Sequence, residues 1–357
     1  MAPSKMSTPE LTKLQHRRSI MRFVGVDLHT NTLTSCFLDA RGRRRLVYCG
    51  VKDLSPLLLK LRKDDVVAVE STGNSRYFFD IVKRYVKKVI VVDPNKFDII
   101  KNSVKKTDEE DSKNLAFFLS KGMLPEARMK SKEQSHLSSL VATRDKLVKL
   151  RTTLQSKIFN ILNGEGIKLK KSSLSSEKGL CRVLSEDVDD SVHFELTVIV
   201  DQVRSLNSGI KKIEQRMIDD GQKLEGHENL ASIKGIGDKA ATILLTCIGN
   251  INDFTDESKL AAYFGIVPRV SKSNKTVHYG HITKAGTKIG RTTLVQCTLV
   301  AIKYSPYLSR FYQQVKNRRG SGKAIIATSR KMLGIIYQTL KEKWLFTDFT
   351  RFEYSTT

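Results

Sequence analysis

The sequence is short of the patterns that mark membrane-bound, exported and cysteine-dependent proteins. It has no long uninterrupted apolar run, and its opening residues, MAPSKMSTPELTKLQHRRSIMR, lack the pattern of a signal peptide. The five cysteines are scattered and odd in number, without metal or redox spacing, and the seven histidines form no ligand cluster in the sequence. We therefore expect no membrane partner and a reducing cytoplasm. The cysteines should be small buried apolar residues, and any metal should be held by oxygen ligands.

Acidic residues are also in short supply. The chain has 62 Lys and Arg residues against 37 Asp and Glu, which gives a formal net charge of +25 over 357 residues. The excess is spread over runs such as RGRRR, IKLKK and NRRGSGK and is not collected in one tail. This charge favours a polyanionic partner, nucleic acid in particular. The alternative interpretation of the charge is a basic soluble protein, such as one that associates with ribosomes.

Apolar patterning predicts an α/β fold in the first part of the chain. Residues 22–51 contain three strand patterns parted by turn signals, and helix and strand patterns then alternate up to a helix over 108–121. Three strands followed by alternating helices and strands are the order of the ribonuclease H fold, in which helices flank a mixed sheet.

The rest of the chain is predicted to be mostly helical. Between 126 and 225, apolar residues recur at intervals of three and four, which predicts a helical hairpin or coiled coil serving as a spacer or an oligomerisation arm. The polar segment GEGIKLKKSSLSSEKG between its helices is the candidate for a mobile hinge. Later helices, over about 287–303 and 323–343, flank the glycine-rich loop NRRGSGK. The fold class is thus α/β plus α, in five segments: a basic N-terminal tail (1–20), the α/β domain (21–125), a helical coiled-coil region (126–225), a mostly helical C-terminal domain (226–346) and a C-terminal tail (347–357).

Four acidic residues stand where the predicted fold would bring them together. Asp27 lies on the first strand and Glu70 ends the strand beside it, while Asp108 and Asp111 are three apart on one helix face. Four carboxylates this close repel one another, and divalent cations would relieve the repulsion. The pattern therefore indicates a pair of Mg²⁺ or Mn²⁺ ions about 4 Å apart, which would bind a scissile phosphate.

The helix also offers a structural explanation for its acids. Acids in a first helical turn are favoured by the helix dipole without any metal. Glu109 and Glu110 stand beside Asp108 and Asp111, and their spacing from the apolar residues does not decide which of them are ligands. The dipole explains the two strand acids poorly, because acids are depleted from strand interiors.

Several residues of the second half have the pattern of phosphate contacts. The segment SIKGIGDKAATILL is typical of a helix-hairpin-helix, whose turn would offer backbone N–H groups to a phosphate, although a plain connection between helices fits as well. Lys284, Lys288 and Arg291 have helical spacing, which suits phosphates or simply a solvated basic face. The predicted nucleic-acid contacts are Lys234, Gly235, Gly237, Lys239, Arg269, Lys284, Lys288 and Arg291.

Taken together, these segments resemble the DEDD transposases of the insertion-sequence-110 family, which includes the Piv and MooV invertases and the bridge-RNA-guided recombinases. The resemblance rests on GVD, VESTG and KTDEEDSKNLA in the first half, and on SIKGIG, FTDESKLAAYFGIVPR and GHITKAG in the second. No single piece is specific, but their order and spacing are.

The resemblance implies a RuvC-like nuclease domain joined by a coiled coil to a transposase domain that supplies a nucleophilic serine. It implies DNA as substrate, guidance by a noncoding bridge RNA, and homodimers that pair into a tetramer whose subunits share active sites. It also implies a nucleoid-associated location. The implied ligands of Mg²⁺ or Mn²⁺ are Asp27, Glu70, Asp108 and Asp111.

The implied nucleophile maps onto Ser273. The family often has Ser-Gly where this chain has Ser273-Asn274, so Ser271 is the alternative. Tyr279 also carries a hydroxyl, but the arginines and histidines of a tyrosine recombinase are not evident around it. On composition alone, a serine in a loop more often makes a local hydrogen bond.

The expected function is therefore a DNA transposase or site-specific recombinase. A serine hydroxyl needs a metal or a base to become a good nucleophile. A phosphoserine intermediate would conserve the energy of the broken bond, so strands could be exchanged without ATP. A Holliday-junction resolvase, or a related structure-specific metal-dependent endonuclease, would need the acids but not the serine. The third interpretation is a scaffold protein that binds nucleic acid and whose acidic residues serve only its structure.

Overall fold

The chain divides into two units, one up to Met129 and the other from Lys130 onward. The predicted tails, 1–20 and 347–357, lie outside the described residues, and the division into five segments stays a prediction. The structure is a computed structural model that describes residues 21–93, 107–127, 129–273 and 276–346.

A six-stranded mixed sheet forms the first unit. Its strands are β1 (Phe23–Leu28), β2 (Thr32–Leu38), β3 (Arg44–Gly50), β4 (Val66–Glu70), β5 (Lys88–Val92) and β6 (Glu126–Ala127). The helices described in this unit are α1 (Ser55–Leu58), α2 (Ser75–Val82) and α3 (Asp108–Ser120). The strand order is β3-β2-β1-β4-β5-β6, with β1, β2 and β3 antiparallel and with β4 and β5 parallel to β1. The predicted mixed α/β domain is confirmed, and the strand order is consistent with a ribonuclease H fold.

Side chains of β1 alternate between the two layers that cover the sheet. Val24, Val26 and Leu28 belong to the buried apolar cluster that also contains Leu57 of α1 and Phe78 of α2. The residues between them, Asp27 among them, face the opposite layer, where α3 packs. The alternation therefore directs the acid of this strand toward α3 and away from the apolar core of α1 and α2.

The helix α3 lies directly on β1 at Gly25. A Cβ atom at Gly25 would lie 2.2 Å from the backbone oxygen of Ser112 and 2.3 Å from the backbone nitrogen of Ala116, closer than real atoms approach. The helix reaches this position because residue 25 has no side chain.

Replacing Gly25 with Ala should destabilise the first unit by about 3 kcal/mol or more, because the helix backbone cannot yield as a flexible side chain would. Urea unfolding followed by circular dichroism measures this loss. Gly50→Ala is the matched control in the same sheet, since its Cβ would lie 3.7 Å from the backbone oxygen of Asn31, an ordinary contact. Equal stability of the two variants would contradict the close packing of α3.

The second unit is mostly helical, as predicted, apart from one β-hairpin. Its helices are α4 (Lys132–Gly164), α5 (Glu177–Leu184), α6 (Asp190–Gly221), α7 (His227–Ala231), α8 (Asp238–Ile248), α9 (Glu257–Tyr263), α10 (Lys288–Tyr304), α11 (Pro306–Arg319) and α12 (Ser321–Lys341). Two 3₁₀ helices, Lys171–Ser175 and Ile251–Asp253, lie between them. The hairpin strands are β7 (Pro268–Ser273) and β8 (Thr276–Ile282). Among the described residues of both units, no helix is long and apolar enough to span a bilayer.

The long helices α4 and α6 pack against each other in antiparallel directions. Arg144 bonds Glu214 at 2.6 Å, and Lys157 bonds Glu195 at 3.0 Å near the other end of the pair. This is the predicted helical hairpin, whereas coiled-coil packing stays a prediction. The helices from α7 to α12 surround a separate buried core that contains Phe264.

Three expectations about this unit are corrected. The segment NRRGSGK is not a loop, because its residues end α11 and begin α12, and only Gly320, with a φ of 79°, lies between them. The candidate hinge contains a 3₁₀ helix and the start of α5, and Leu174 in it is fully buried. Cys181 on α5 is exposed and is not a buried apolar residue.

Candidate active site

Strand register brings Asp27 and Glu70 level with each other on adjacent strands. Parallel β1 and β4 pair Val26 with Val69, and the two acids follow these residues directly. Adjacent strands lie about 4.8 Å apart, and level residues point to the same face. Asp27 is only 8% exposed, and Glu70, the last residue of β4, is half-buried. The register therefore places the two strand acids at the same edge of the sheet.

The first turn of α3 carries the other two acids. The side chain of Thr107 accepts a hydrogen bond from the backbone N–H of Glu110 and so fixes the start of the helix. Asp108 and Asp111 follow this cap, and the packing of α3 on Gly25 holds the turn against β1. Both carboxylates act electrostatically on Asp27. The structure thus clusters Asp108 with Asp27, and it places Asp111 near enough for its charge to act on Asp27.

The neighbouring glutamates are engaged elsewhere. Tyr48 of β3 donates a hydrogen bond of 2.6 Å to Glu109, and Lys113 bonds Glu110 at 2.8 Å. Bonding to Glu109 raises the pKa of the Tyr48 hydroxyl and lowers that of the glutamate. These partners favour Asp108 and Asp111 as the ligands from this helix, a choice that sequence spacing leaves open.

His29 is a member of the site that sequence reasoning missed. Its Nε2 lies 3.2 Å from a carboxylate oxygen of Asp27 and 3.3 Å from one of Asp108. One ligand atom from each of these three residues lies within 4.8 Å of the other two. The signal in the sequence is the two-residue spacing from Asp27, which places both side chains on one face of an extended segment.

The electrostatics of the site disfavour an uncompensated charge on Asp27. Burial raises the pKa of the Asp27 carboxyl, and the charges of Asp108 and Asp111 raise it further against the opposing effect of His29. For His29, burial lowers the pKa of the imidazole, but Asp27 and Asp108 outweigh burial and the pKa lies above its ordinary value. A group of oxygen donors whose negative charge is concentrated in this way fits a hard divalent cation, and the imidazole adds a nitrogen donor.

The second unit places Ser273 at the tip of an exposed hairpin. Ser273 of β7 pairs with Thr276 of β8 as the last pair before the turn, and it is exposed. Ser271 lies two pairs farther back, opposite His278, and it is exposed as well. Tyr279, the other hydroxyl considered, is 73% exposed on β8. Both serines are accessible to a substrate, so exposure does not choose between them.

The predicted phosphate-binding turn precedes α8. Lys234 is exposed, and Gly237 is the residue before the first turn of the helix. Gly235 has a φ of 101° and packs so closely on α10 that a Cβ would lie 2.8 Å from the backbone nitrogen of Ala301. Lys239 bonds Glu214 at 3.0 Å. The glycine turn therefore has a packing role in this unit, and the helix-hairpin-helix stays a prediction.

The remaining predicted contacts surround the start of α10. Arg269 on β7 and Lys288 on α10 are exposed. The expected helical spacing of Lys284 is wrong, because this residue precedes α10 and adopts a left-handed φ of 54°. Arg291 directs Nη1 at the backbone oxygen of Phe264, at 3.1 Å. Its guanidinium thus helps to hold the chain before the hairpin.

Comparison with known proteins places the chain among transposases. Residues 24–167 match a model of DEDD transposases of the IS110 type, and residues 227–313 match the model described as Transposase IS116/IS110/IS902 family. The transposase for insertion sequence element IS1111A of Coxiella burnetii is 24% identical over 91% of this chain and 92% of that relative. A probable family 20 transposase of Pseudomonas aeruginosa is 22% identical over 91% of this chain and 95% of the relative. The pilin gene-inverting protein of Moraxella bovis is 23% identical over 90% of this chain and 96% of the relative.

The sheet, its acidic edge and these matches define the class as a transposase, an enzyme that cleaves and recombines DNA. The chain belongs to the IS110 family of transposases. The resemblance in its motifs is thereby confirmed.

Proposed function

We propose that the protein cleaves and rejoins DNA strands of an insertion sequence through metal-bound carboxylates and a serine nucleophile. The observation that carries this proposal is the meeting of Asp27, Asp108 and Asp111, with Glu70 level on the next strand. A buried acid whose pKa is raised by burial and by neighbouring carboxylates, as that of Asp27 is, is typical of a functional site.

The four acids and His29 are the residues that would hold divalent metal. When bound there, Mg²⁺ or Mn²⁺ would orient the scissile phosphate and stabilise the charge that develops on its oxygens. The chain itself contributes rigidity, because β1, β4 and the capped first turn of α3 fix the carboxylates before substrate arrives.

Ser273 is the proposed nucleophile. Its Oγ forms a bond to phosphorus, and the bond from phosphorus to a deoxyribose oxygen breaks. The serine proton passes to solvent, and the departing oxygen takes up a proton to become a hydroxyl. Attack by a hydroxyl of another strand reverses these changes and frees the serine, so one strand is exchanged for another without loss of the phosphodiester. The position of Ser273 at a hairpin tip supports this role, because the tip can enter a DNA groove.

The finer parts of the proposal follow the family resemblance. We include guidance by a noncoding bridge RNA, homodimers that pair into a tetramer, and α4 with α6 as a coiled-coil arm for oligomerisation. The formal charge of +25 suits DNA and RNA equally. Exposed Lys234, Lys284 and Lys288 support phosphate binding by the second unit.

Trapping a covalent adduct tests the proposed chemistry. The full-length protein, incubated with Mg²⁺ and DNA that carries the ends of its element, should form a protein–DNA adduct that survives denaturation in SDS. EDTA should abolish the adduct, Mn²⁺ should restore it, and peptide mapping should find the phosphate on serine. Cleavage of branched DNA without an adduct would instead support the Holliday-junction resolvase. Binding without cleavage in either metal would support the scaffold.

A further inference from the structure

One stretch of the second unit has cations and no acids. Residues 258–341 contain 16 Lys and Arg and not one Asp or Glu. Eight of these cations lie between Pro306 and Lys341, on the helices α11 and α12. Such a segment concentrates positive charge, which favours a polyanionic partner.

A cleft of about 500 Å³ opens on this helix pair. Four aromatic residues line it together with two cations, Arg330 and Lys331. The ammonium group of Lys331 lies 5.4 Å from the ring centre of Tyr307 and 5.0 Å from that of Phe311. We call this cleft the Trp344 pocket, and the lining residues used below are Glu257, Tyr307, Phe311, Arg330, Lys331 and Trp344.

Trp344 lines this pocket, and hydrogen bonds hold its backbone in place. The backbone N–H of Trp344 donates to the oxygen of Thr339 at 3.0 Å, and Asn229 donates to the backbone oxygen of Trp344 at 2.7 Å. Lys343, with a left-handed φ of 56°, turns the chain between α12 and the indole. The side chain is nevertheless 51% exposed. A large aromatic face is therefore presented to solvent from a fixed backbone, which lowers the entropy lost when a ligand stacks on it.

We propose that the Trp344 pocket binds an unstacked base of single-stranded nucleic acid, while cations of α11 and α12 hold the flanking phosphates. Flat bases stack on aromatic side chains regardless of sequence, and cations beside the rings add to the attraction. The carboxylate of Glu257 in the pocket wall can accept a hydrogen bond from a base N–H. A duplex keeps its bases stacked inside, so it offers the cations its phosphates but cannot fill the pocket. An apolar peptide would leave the surrounding positive charge unmatched.

This inference goes beyond the proposed strand cleavage, because no residue of the pocket takes part in that chemistry. Trp344 is the chain's single tryptophan, so fluorescence excited selectively at tryptophan, and not at the ten tyrosines, reports this pocket. The full chain with Asp27→Asn is used, so that the probe stays intact whether or not the protein is a nuclease. Single-stranded oligo(dT), oligo(rU) and a mixed-sequence duplex of equal length are the probes, and anisotropy of labelled strands measures binding separately.

Saturating single strands should quench the tryptophan fluorescence, and the duplex should bind without comparable quenching. Phe311→Ala should weaken single-strand binding about tenfold, the effect of about one lost stacking contact. Tyr312→Ala, a change of the neighbouring ring that does not line the pocket, should leave affinity within about twofold. Lys331→Gln and Lys323→Gln form a second matched pair on α12, and only the first should reduce the quenching. Whichever of oligo(dT) and oligo(rU) binds more tightly identifies DNA or RNA as the source of the base.

Three outcomes would overturn the inference. If single strands bind at saturation without quenching the tryptophan fluorescence, their binding site lies outside the Trp344 pocket. Equal quenching by the duplex would show that no unstacked base is involved. A fluorescence change that follows protein concentration alone would show that a second copy of the chain covers the pocket.

Discussion

Replacing Asp27 with Asn should abolish DNA strand cleavage while DNA binding is retained. The change preserves the shape of the side chain but removes the buried charge around which the other acids are arranged. Groups that only orient metal ligands contribute about 10–100-fold, so loss of a direct ligand should cost at least about a thousandfold in rate. Cleavage of end-labelled DNA in Mg²⁺ measures the loss, and gel shifts at matched salt check that binding persists.

The same variant should be no less stable than the wild-type protein when metal is absent. A carboxyl whose pKa is raised by folding opposes folding when it is ionised, that is, at pH values above its ordinary range. The Asn side chain carries no such charge. Without metal, the melting temperature of the Asp27→Asn variant should therefore equal or exceed that of the wild-type protein. Added Mg²⁺ should stabilise only the wild-type protein, because ligands that bind the native state raise its stability.

Asp39→Asn is the matched control, since Asp39 lies in the same unit but pairs with Arg43. It should keep both cleavage and stabilisation by Mg²⁺. If Asp27→Asn cleaved within about tenfold of the wild-type rate, Asp27 would not be an essential metal ligand, and the proposed metal site would be contradicted.

The acidic edge could be predicted from the sequence because it depends on local geometry. A strand that alternates valine with other residues directs Asp27 to one face, and the parallel β4 ends in Glu70 at the same level. An apolar strand that ends in an acid is unusual enough to be read without a structure. The choice between Asp108 and Glu109 could not be made from the sequence, because it depends on the bond from Tyr48 across the unit.

Other features depended on contacts between segments far apart in the sequence. His29 becomes recognisable as a site residue only in the folded unit, where α3 brings Asp108 beside it. Gly25 is an ordinary strand residue until the backbone of α3 lies upon it. The spacing of residues in the sequence indicates neither the approach of α3 to His29 nor its approach to Gly25.

The serine hairpin left only a weak strand signal because it buries almost nothing. In β8 the alternation of polar and apolar residues runs from Thr276 to Tyr279 and stops at Gly280, and all residues of the strand except the last are exposed. Isolated two-stranded hairpins are marginally stable in water. We therefore expect this hairpin to be ordered mainly where it contacts DNA or another part of the assembly.

Ser273→Ala should abolish strand transfer and the SDS-resistant adduct, a loss of at least about a thousandfold, because the variant lacks the hydroxyl proposed to attack the phosphate. Since the residue is exposed, the free energy of unfolding should change by less than about 0.5 kcal/mol. Stabilisation by Mg²⁺ should match the wild-type protein, which separates loss of the serine from loss of the metal site.

Ser271→Ala is the matched variant, because Ser271 is an exposed serine on the same strand, two pairs farther from the turn. It should transfer strands within about tenfold of the wild-type rate. A reversed result would make Ser271 the nucleophile, with His278 opposite it as the nearest imidazole on β8. If both variants cleaved DNA at the wild-type rate, no serine of this hairpin would be needed. The four acids would then act alone, as in a resolvase that hydrolyses its substrate with water.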